Sequence, residues 1–289
     1  MPAKIVLYHV SDLHFGYEDR QALEWFAAEV ERERPAGVVC TGDLTMRGTA
    51  KEFALAAEWL THLPVPVSIE PGNHDVPYYH MMLRRLARPY AHFHALKHRL
   101  GSEIALPDVA VVSLKTIARA QWRFNWSKGR VSSGDLDAAL QGLAHNAAKP
   151  LRLVACHHPL VEADTHSTAS TRGGPAALAA LARAGASAVL SGHVHDPFDK
   201  TVEIDGQTIR MIGAGTLSRR LRTSAPPTRL PSRRTGPGRP RVDAVTMPAW
   251  TRAQLPASRR SSLPAGHGGR QATCGNGGGS RGVITLVSE

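Results

Sequence analysis

The sequence predicts an α/β protein in which helices cover a parallel sheet, and two observations carry this prediction. Short apolar runs rich in β-branched residues alternate with longer segments whose apolar residues recur at helical spacing. From the N-terminus the elements follow the order strand, helix, strand, helix, strand, which is typical of parallel strands joined by helices. With 289 residues, 42% of them hydrophobic, the chain can form one large or two ordinary domains with a substantial core.

The first half of the chain shows this alternation most clearly. Apolar residues at helical spacing predict two helices, and Thr49 is suited to cap the second of them. A further helical segment, 78–100, is interrupted at Arg88 and Pro89. The predicted strands are 4–10, 37–40 and 65–69, and the predicted helices are 19–34 and 49–62.

The second half repeats the alternation after residue 104. Its last two predicted strands form an antiparallel hairpin that turns at Asp205 and Gly206, a favoured two-residue turn. The predicted strands are 104–106, 109–114, 151–155, 186–190, 201–204 and 208–212, and the predicted helices are 133–146 and 173–184.

The composition indicates a globular protein without a disulfide framework. No stretch approaches the roughly 18 apolar residues of a membrane span, and the N-terminus lacks the apolar segment of a secretion signal. We therefore expect a cytoplasmic protein that does not associate with membranes. Cys40, Cys156 and Cys274 are odd in number and widely spaced, which argues against disulfides or a zinc ribbon. The oligomeric state leaves no signal in the sequence.

The net charge of +11 is concentrated in the last quarter of the chain. From Leu217 onward the sequence holds thirteen Arg and two acidic residues, which leaves 22 basic and 22 acidic residues in 1–216. The Arg-rich segment has no periodicity, and Trp250 is its one aromatic residue that could stack on a base. We therefore expect no stable nucleic-acid partner.

Side chains that can bind metal follow five of the predicted strands. Two of them, Asp12 and His14, are two residues apart on an extended segment, so their side chains point the same way. Imidazole nitrogen together with carboxylate and amide oxygen suits borderline divalent metals, and the number of ligands fits two ions better than one. The set is Asp12, His14, Asp43, Asn73, His74, His157, His193 and His195.

The order of these residues resembles the pattern of the calcineurin-like metallophosphoesterases, and the resemblance covers 5–222. It is most similar to the bacterial branch that includes class III cyclic-nucleotide phosphodiesterases, partly because His158 and Pro159 follow His157. The resemblance implies an α+β fold, a four-layer α/β/β/α sandwich of two mixed sheets known as the metallo-dependent phosphatase fold. The matching blocks are Asp12-Leu13-His14, Gly42-Asp43, Gly72-Asn73-His74-Asp75, His157 and Gly192-His193-Val194-His195.

The resemblance also implies a role for each residue of the site. His74 would face the substrate as a general acid or hold a phosphate oxygen, and Asp75 is a candidate to orient it. His158 is expected to be a wall residue rather than a ligand. One metal would be held by Asp12, His14, Asp43 and His195, and the other by Asp43, Asn73, His157 and His193, with Asp43 bridging the two.

These roles imply a dinuclear metal-dependent phosphoesterase that hydrolyses a small phosphodiester, with a 3′,5′-cyclic nucleotide among the candidates. Two divalent ions of manganese, iron or zinc would lower the pKa of a shared water, and the resulting bridging hydroxide would attack phosphorus. Two alternatives stay open: a phosphomonoesterase or nuclease of the same superfamily, and an inactive metal-binding module.

The predicted substrate-binding residues do not decide between these alternatives. We expect Asn73 and His74 to contact the substrate together with Trp122, Trp126 and Arg172. The segment 119–130 concentrates aromatic residues and cations. It is either a loop whose aromatic side chains fill the core or a wall on which a substrate group stacks.

The C-terminal segment departs from the family pattern. We divide the chain into a metallophosphoesterase domain, 1–222, and an Arg/Pro/Gly-rich low-complexity tail, 223–289, whose composition cannot offset the entropy lost on ordering. A natural disordered tail is one interpretation. We prefer an out-of-frame translation from near Thr228, because GC-rich codons read in the wrong frame give such a composition. Without the family's later strands, we expect an unpaired sheet edge near 208–213.

Overall fold

The fold was analysed in a computed structural model. The structure describes residues 4–77, 87–101, 104–117, 128–165, 167, 171–218, 241–244 and 283–287. Residues 78–86 of the helical segment predicted over 78–100 lie outside these residues, as do Trp122 and Trp126 and most of the predicted tail.

The first sheet contains the three parallel strands predicted at the start of the chain. These are β1 (Lys4–Val10), β2 (Gly37–Cys40) and β3 (Val67–Ile69), and β2 lies between the other two. Because the strands are parallel, their carboxyl ends meet at one edge of the sheet, where Val10 pairs with Cys40 and Cys40 with Ile69.

Two helices cover this sheet, with the starts that their sequences predict. Helix α1 (Arg20–Glu33) begins after Asp19, whose side chain accepts hydrogen bonds from the backbone amides of Gln21 and Ala22. Helix α2 (Ala50–Thr61) begins after Thr49 with a capping box that pairs Thr49 with Glu52. A third helix, α3 (Ala91–Leu100), contacts α2.

The second sheet contains β4 (Val109–Ser113), β5 (Leu151–Ala155), β6 (Ala188–Ser191), β7 (Phe198–Ile204) and β8 (Gln207–Gly213). Its strand order is β4-β5-β6-β8-β7. All neighbouring strands are parallel except β7 and β8, which form the predicted hairpin. Asp205 and Gly206 at its turn have φ of 49° and 71°, as a two-residue turn of type I′ requires. The helices on this sheet are α4 (Ser133–His145) and α5 (Gly174–Arg183).

Three groups of buried apolar residues define the layers. One fills the space between the first sheet and its helices, and another lies between the second sheet and α4 and α5. The third lies between the sheets and includes Leu7 and Val39 from one sheet with Leu153, Leu190 and Ile212 from the other. The chain therefore has the four-layer α/β/β/α arrangement that the family resemblance implied.

Two sequence predictions about strands are wrong. Residues 104–106 form no strand; the Ile104 side chain is instead buried against Gly37, where a Cβ would come within 2.8 Å of its Cδ1. The predicted unpaired edge near 208–213 does not exist either, because β8 lies between β6 and β7. The edge strand of that hairpin is β7.

Two short pieces of the predicted tail form strands in the first sheet. Strand β10 (Val283–Val287) pairs antiparallel with β1, and β9 (Arg241–Ala244) pairs antiparallel with β10. The division of the chain at residue 222 stays a prediction, because most of 223–289 lies outside the described residues.

Among the described residues, no helix is long and apolar enough to cross a membrane. The cytoplasmic location expected from the sequence stays a prediction.

Candidate metal centre

The five predicted blocks meet at one place, where the carboxyl ends of strands from both sheets face each other. The first sheet contributes residues that follow β1, β2 and β3, and the second contributes residues that follow β5 and β6. All of these side chains are buried or partly buried. Ring nitrogens and carboxylate oxygens from the two sheets lie within 4.8 Å of one another in four overlapping groups.

The first group surrounds Asp12. The Nε2 atom of His195 lies 3.1 Å from Asp12 Oδ1 and 3.3 Å from His14 Nε2. His14 Nε2 also lies 3.7 Å from Asp12 Oδ1 and 3.9 Å from Asp43 Oδ2. The four side chains that the family resemblance assigns to one ion are thus together.

The second group surrounds the other side of Asp43. The Nε2 atom of His157 lies 3.4 Å from Asp43 Oδ2 and 3.1 Å from Asn73 Oδ1. The ring of His193 lies 5.1 Å from the ring of His157, measured between centroids. Because Asp43 Oδ2 is close to His14 and to His157, its carboxylate is placed to belong to both groups, as a bridging ligand must.

The residues fit two divalent cations. Ligand atoms around one ion at about 2.1 Å lie about 3.0 to 3.4 Å apart, close to the distances between Nε2 and carboxylate atoms here. Asp12 Oδ1 is buried and is assigned no hydrogen bond among the described residues, although His195 Nε2 lies 3.1 Å from it. A cation between these atoms would satisfy both of them.

The backbone at the site adopts an uncommon conformation. Eight non-glycine residues of the described chain have positive φ, and five of them are predicted metal ligands. Only short polar side chains such as Asp, Asn and His enter this left-handed region at modest cost, and such residues cluster at functional sites. The five are Asp12, His14, Asp43, His193 and His195, with φ between 47° and 69°.

Hydrogen bonds between the loops hold this conformation. The amides of Asp12 and His14 donate to the carbonyls of Gly42 and Asp43, each at 3.0 Å. Across the sheets, the amide of His193 donates to Asp12 Oδ2 at 2.9 Å. His157 Nδ1 donates to the Thr41 carbonyl at 2.8 Å, which leaves Nε2 of the same ring for a metal.

Two glycines allow the loops to approach this closely. A Cβ on Gly72 would lie 2.1 Å from the amide nitrogen and Oδ1 of Asp43. A Cβ on Gly192 would lie 1.8 Å from Ser11 Oγ and 2.6 Å from Asp12 Oδ2. Any larger residue at either position would push ligand-bearing loops apart.

Burial and charge act in opposite directions on the ligands. Burial alone would raise the pKa of Asp43, but His157 holds that pKa well below its usual range. Burial likewise opposes the charged form of His157, yet the Asp43 carboxylate raises the pKa of His157 to about 9. Burial lowers the pKa of His14 and of His193 to about 4, so these rings are neutral and able to bind metal near neutral pH.

His74 lies beside the first group, and Asp75 does not have the predicted role. One ring nitrogen of His74 lies within 4.8 Å of ligand atoms of His14 and Asp43. Its Nδ1 atom is 2.8 Å from the Met46 carbonyl, so that carbonyl, and not the Asp75 carboxylate, orients the ring. The prediction that Asp75 orients His74 is therefore wrong.

Asp75 instead fixes the loop that follows β2. Its Oδ1 accepts hydrogen bonds from the amide and hydroxyl of Thr45, and its Oδ2 accepts from the amides of Leu44 and Gly72. The side chain is 1% exposed, and burial raises its pKa to about 7. These contacts join the Asp43 loop to the turn that carries Asn73.

His158 lies nearer to the predicted metal ligands than the wall position that the resemblance implied. It is 2% exposed, and its ring centroid is 4.3 Å from that of His193. Its Nδ1 is 3.0 Å from Thr116 Oγ1, which also accepts a hydrogen bond from the His158 amide. Sequence reasoning missed Thr116 and the carbonyls of Thr41 and Met46, since only the fold brings them to the imidazoles.

The structure describes only some of the predicted substrate-binding residues. Asn73 and His74 lie at the centre, whereas Trp122 and Trp126 lie outside the described residues. Arg172 forms a short bridge with Arg130, and its backbone amide donates to the Gly129 carbonyl. Its side chain is exposed, and its role in substrate binding stays a prediction.

The chain matches the calcineurin-like phosphoesterase family over residues 5–197, more than half of its length, and therefore belongs to that family. Members of this family are phosphoester hydrolases that depend on a dinuclear metal centre, in agreement with the two groups of ligands.

Individual relatives are more distant. Glycerophosphodiester phosphodiesterase GpdQ from Enterobacter lignolyticus is 30% identical over 82 residues, which cover 25% of this chain and 30% of that relative. The match thus spans less than a third of the curated relative's length.

Solved structures share the fold. A dimetal phosphatase from Danio rerio is 15% identical with a TM-score of 0.56, covering 75% of this chain and 89% of that one. A purple acid phosphatase from yellow lupin (Lupinus luteus) seeds is 12% identical with a TM-score of 0.52, covering 78% of this chain and 47% of that one. At these identities the likeness shows the fold alone.

Proposed function

We propose that the protein is a dinuclear metal-dependent phosphodiesterase that hydrolyses a small phosphodiester to a phosphomonoester and an alcohol. The observation that carries the proposal is the meeting of seven ligand side chains from two sheets, with the His74 imidazole beside them and held by a carbonyl. Bound divalent ions would lower the pKa of water and neutralise the phosphate oxygens, and manganese, iron and zinc all suit these ligands.

The protein's own side chains have separate tasks in this reaction. Asp12 and Asp43 supply the negative charge that lets two cations lie close together. Water provides the hydroxyl group that becomes bonded to phosphorus. As the bond from phosphorus to the leaving oxygen breaks, that oxygen gains charge and needs a proton. A His74 ring protonated on both nitrogens can donate this proton from Nε2 while it keeps its Nδ1 hydrogen on the Met46 carbonyl.

The preference for a diester has separate support. The GpdQ relative is named as a glycerophosphodiester phosphodiesterase, and the sequence resemblance also favours the phosphodiesterase branch. A glycerophosphodiester and a 3′,5′-cyclic nucleotide are therefore the two small diesters to compare. A phosphomonoesterase or nuclease would use the same ligands.

The test is a substrate panel with the full chain reconstituted separately with manganese, iron and zinc. We expect bis(4-nitrophenyl) phosphate to be turned over with a higher kcat/KM than 4-nitrophenyl phosphate. Glycerophosphocholine and 3′,5′-cyclic AMP then distinguish the two kinds of small diester. Asp43→Asn serves as the inactive control. A higher kcat/KM for the monoester would replace the proposal with a phosphomonoesterase, and cleavage of single-stranded DNA alone would indicate a nuclease.

A further inference from the structure

We propose that Glu52 is a positioning residue for His74, acting through the peptide group that joins Met46 to Arg47. The inference rests on the proposed function, since it concerns the group that would protonate the leaving oxygen. Glu52 lies in the first turn of α2 and is not part of any matched metal-binding block.

The two sides of this peptide group make opposite hydrogen bonds. Its carbonyl oxygen, on Met46, lies 2.8 Å from His74 Nδ1. Its N–H, on Arg47, donates to Glu52 Oε2 at 2.9 Å. A trans peptide is planar with its C=O and N–H pointing in opposite directions, and the described chain contains no cis peptide. Holding the N–H against Glu52 therefore aims the carbonyl at His74.

Other contacts leave the peptide little freedom to rotate. The Met46 amide donates to the Phe15 carbonyl at 3.0 Å, and the Gly48 amide donates to Thr45 Oγ1 at 3.2 Å. These bonds fix the neighbouring peptides of the loop. In the described part of the chain, the carboxylate of Glu52 accepts from the Arg47 N–H and so fixes the Met46–Arg47 peptide from the side opposite His74.

Helix capping accounts for part of what Glu52 does, but not for this contact. Glu52 Oε2 also accepts from the Thr49 amide at 3.2 Å, which completes the capping box of α2. A capping box needs no bond to a residue two positions further back. The additional bond to the Arg47 amide is charge-assisted, and the side chain is only 8% exposed.

The consequence for His74 concerns which ring nitrogen carries a proton. A carbonyl can only accept, so the Met46 oxygen keeps a hydrogen on Nδ1 and fixes the rotation of the ring, which leaves Nε2 as the nitrogen that gains and gives up the catalytic proton. A carboxylate that accepts from the N–H of the same peptide polarises it and strengthens its carbonyl as an acceptor. Glu52, the Met46–Arg47 peptide and the His74 ring are thus joined by two consecutive hydrogen bonds.

The experiment compares Glu52→Ala with Thr49→Ala. Both variants break the capping box, but Thr49→Ala keeps the Glu52 carboxylate against the Arg47 amide, so it is the matched control for stability of α2. Each variant is loaded with zinc, its metal content is measured, and kcat and KM are determined for diphenyl phosphate and bis(4-nitrophenyl) phosphate. The same changes are then made in a His74→Ala background.

We expect Glu52→Ala to keep both metals and KM while kcat for diphenyl phosphate falls about tenfold, a fraction of the effect of a general acid. The loss should be smaller for the better leaving group and absent in the His74→Ala background. Glu52→Gln, whose amide oxygen can still accept, should restore most of kcat. A loss of the same size with and without His74, or an equal loss in Thr49→Ala, would overturn the proposal and leave Glu52 a helix cap.

Nitrogen-15 NMR of labelled histidine gives a readout that does not depend on activity. In the zinc-loaded protein, the His74 signals, assigned by their absence in His74→Ala, should show Nδ1 protonated in the unaltered chain and a mixture of tautomers in Glu52→Ala. Should His74→Ala itself keep full kcat, the general-acid role in the proposed function fails, yet the NMR comparison still decides the role of Glu52. An unchanged Nδ1–H signal in Glu52→Ala would refute it.

Discussion

The two halves of the molecule contribute different chemistry to the metal centre. The half built on the first sheet supplies both carboxylates, the Asn73 amide and His74. The half built on the second sheet supplies imidazoles alone, from His157, His193 and His195. The negative charge that draws two cations together therefore comes entirely from one side of the site, and imidazole nitrogens complete it from the other.

The halves also differ in how their ligands are held. Loops of the first half are fixed mainly by Asp75 and Glu52, which accept from three and two backbone amides, and the Thr216 hydroxyl after β8 adds a hydrogen bond to the Asp12 carbonyl. Ligands of the second half are fixed by contact with the first, since the His193 amide donates to Asp12 and His157 Nδ1 donates to the Thr41 carbonyl. We therefore expect metal binding to depend on the packing of the two sheets against each other. In this arrangement the first half holds the ligands of the second half in place.

The largest effect should follow from Asp43→Asn. This carboxylate faces ligands of both groups, so neutralising it removes the charge that both ions share. We expect activity to be abolished and metal content to fall more than for any other single ligand change, as measured by elemental analysis of the purified protein.

Asp137→Asn is a suitable control, because Asp137 is an exposed carboxylate on α4. If Asp43→Asn kept two metals per chain and near-normal turnover, the carboxylates of the first half would not be needed to bind both ions and the dinuclear assignment would be wrong.

His74→Ala should have the next largest effect and should separate catalysis from metal binding. Both metals should remain while kcat falls roughly 10² to 10⁴-fold, the usual contribution of a general acid. The loss should shrink for a substrate with a good leaving group. A parallel loss of metal and activity would make His74 a further ligand, in line with its closeness to His14 and Asp43.

Gly192→Ala tests the docking of the two halves without removing any ligand. The added methyl group would meet Ser11 and Asp12, so we expect a loss of about 1–3 kcal/mol in the free energy of unfolding together with weaker metal binding. Gly134→Ala is the control, because a Cβ at Gly134 meets nothing within 4 Å. Both variants are measured by denaturant unfolding and by metal titration. Equal free energies of unfolding and equal metal affinities in the two variants would show that the two halves tolerate separation.

The smallest effect concerns the C-terminal segment, which we propose is read out of frame from near Thr228. Translating the two other frames of the gene downstream of Thr216 should then give a run of alternating apolar residues able to form a strand. If neither frame contains such a run, the segment is a natural tail, of which Val283–Val287 pairs with β1.

Much of the fold and site was predictable because the signals are local. Short apolar runs gave β2 and β5 with their observed bounds, and the Thr49 cap and the turn at Asp205 follow from side chains near in sequence. The strand predicted at 104–106 was wrong because a short apolar run does not distinguish a strand from a buried loop.

The sequence by itself determined which residues can bind metal and in which order along the chain they come, because ligand chemistry belongs to the side chain. It could not determine what holds them. That Asp75 fixes the loop after β2, that Met46 rather than Asp75 meets His74, and that Thr41 orients His157 are decided by backbone groups of distant segments. Every residue carries the same carbonyl and amide, so only the tertiary structure selects which of them reaches an imidazole.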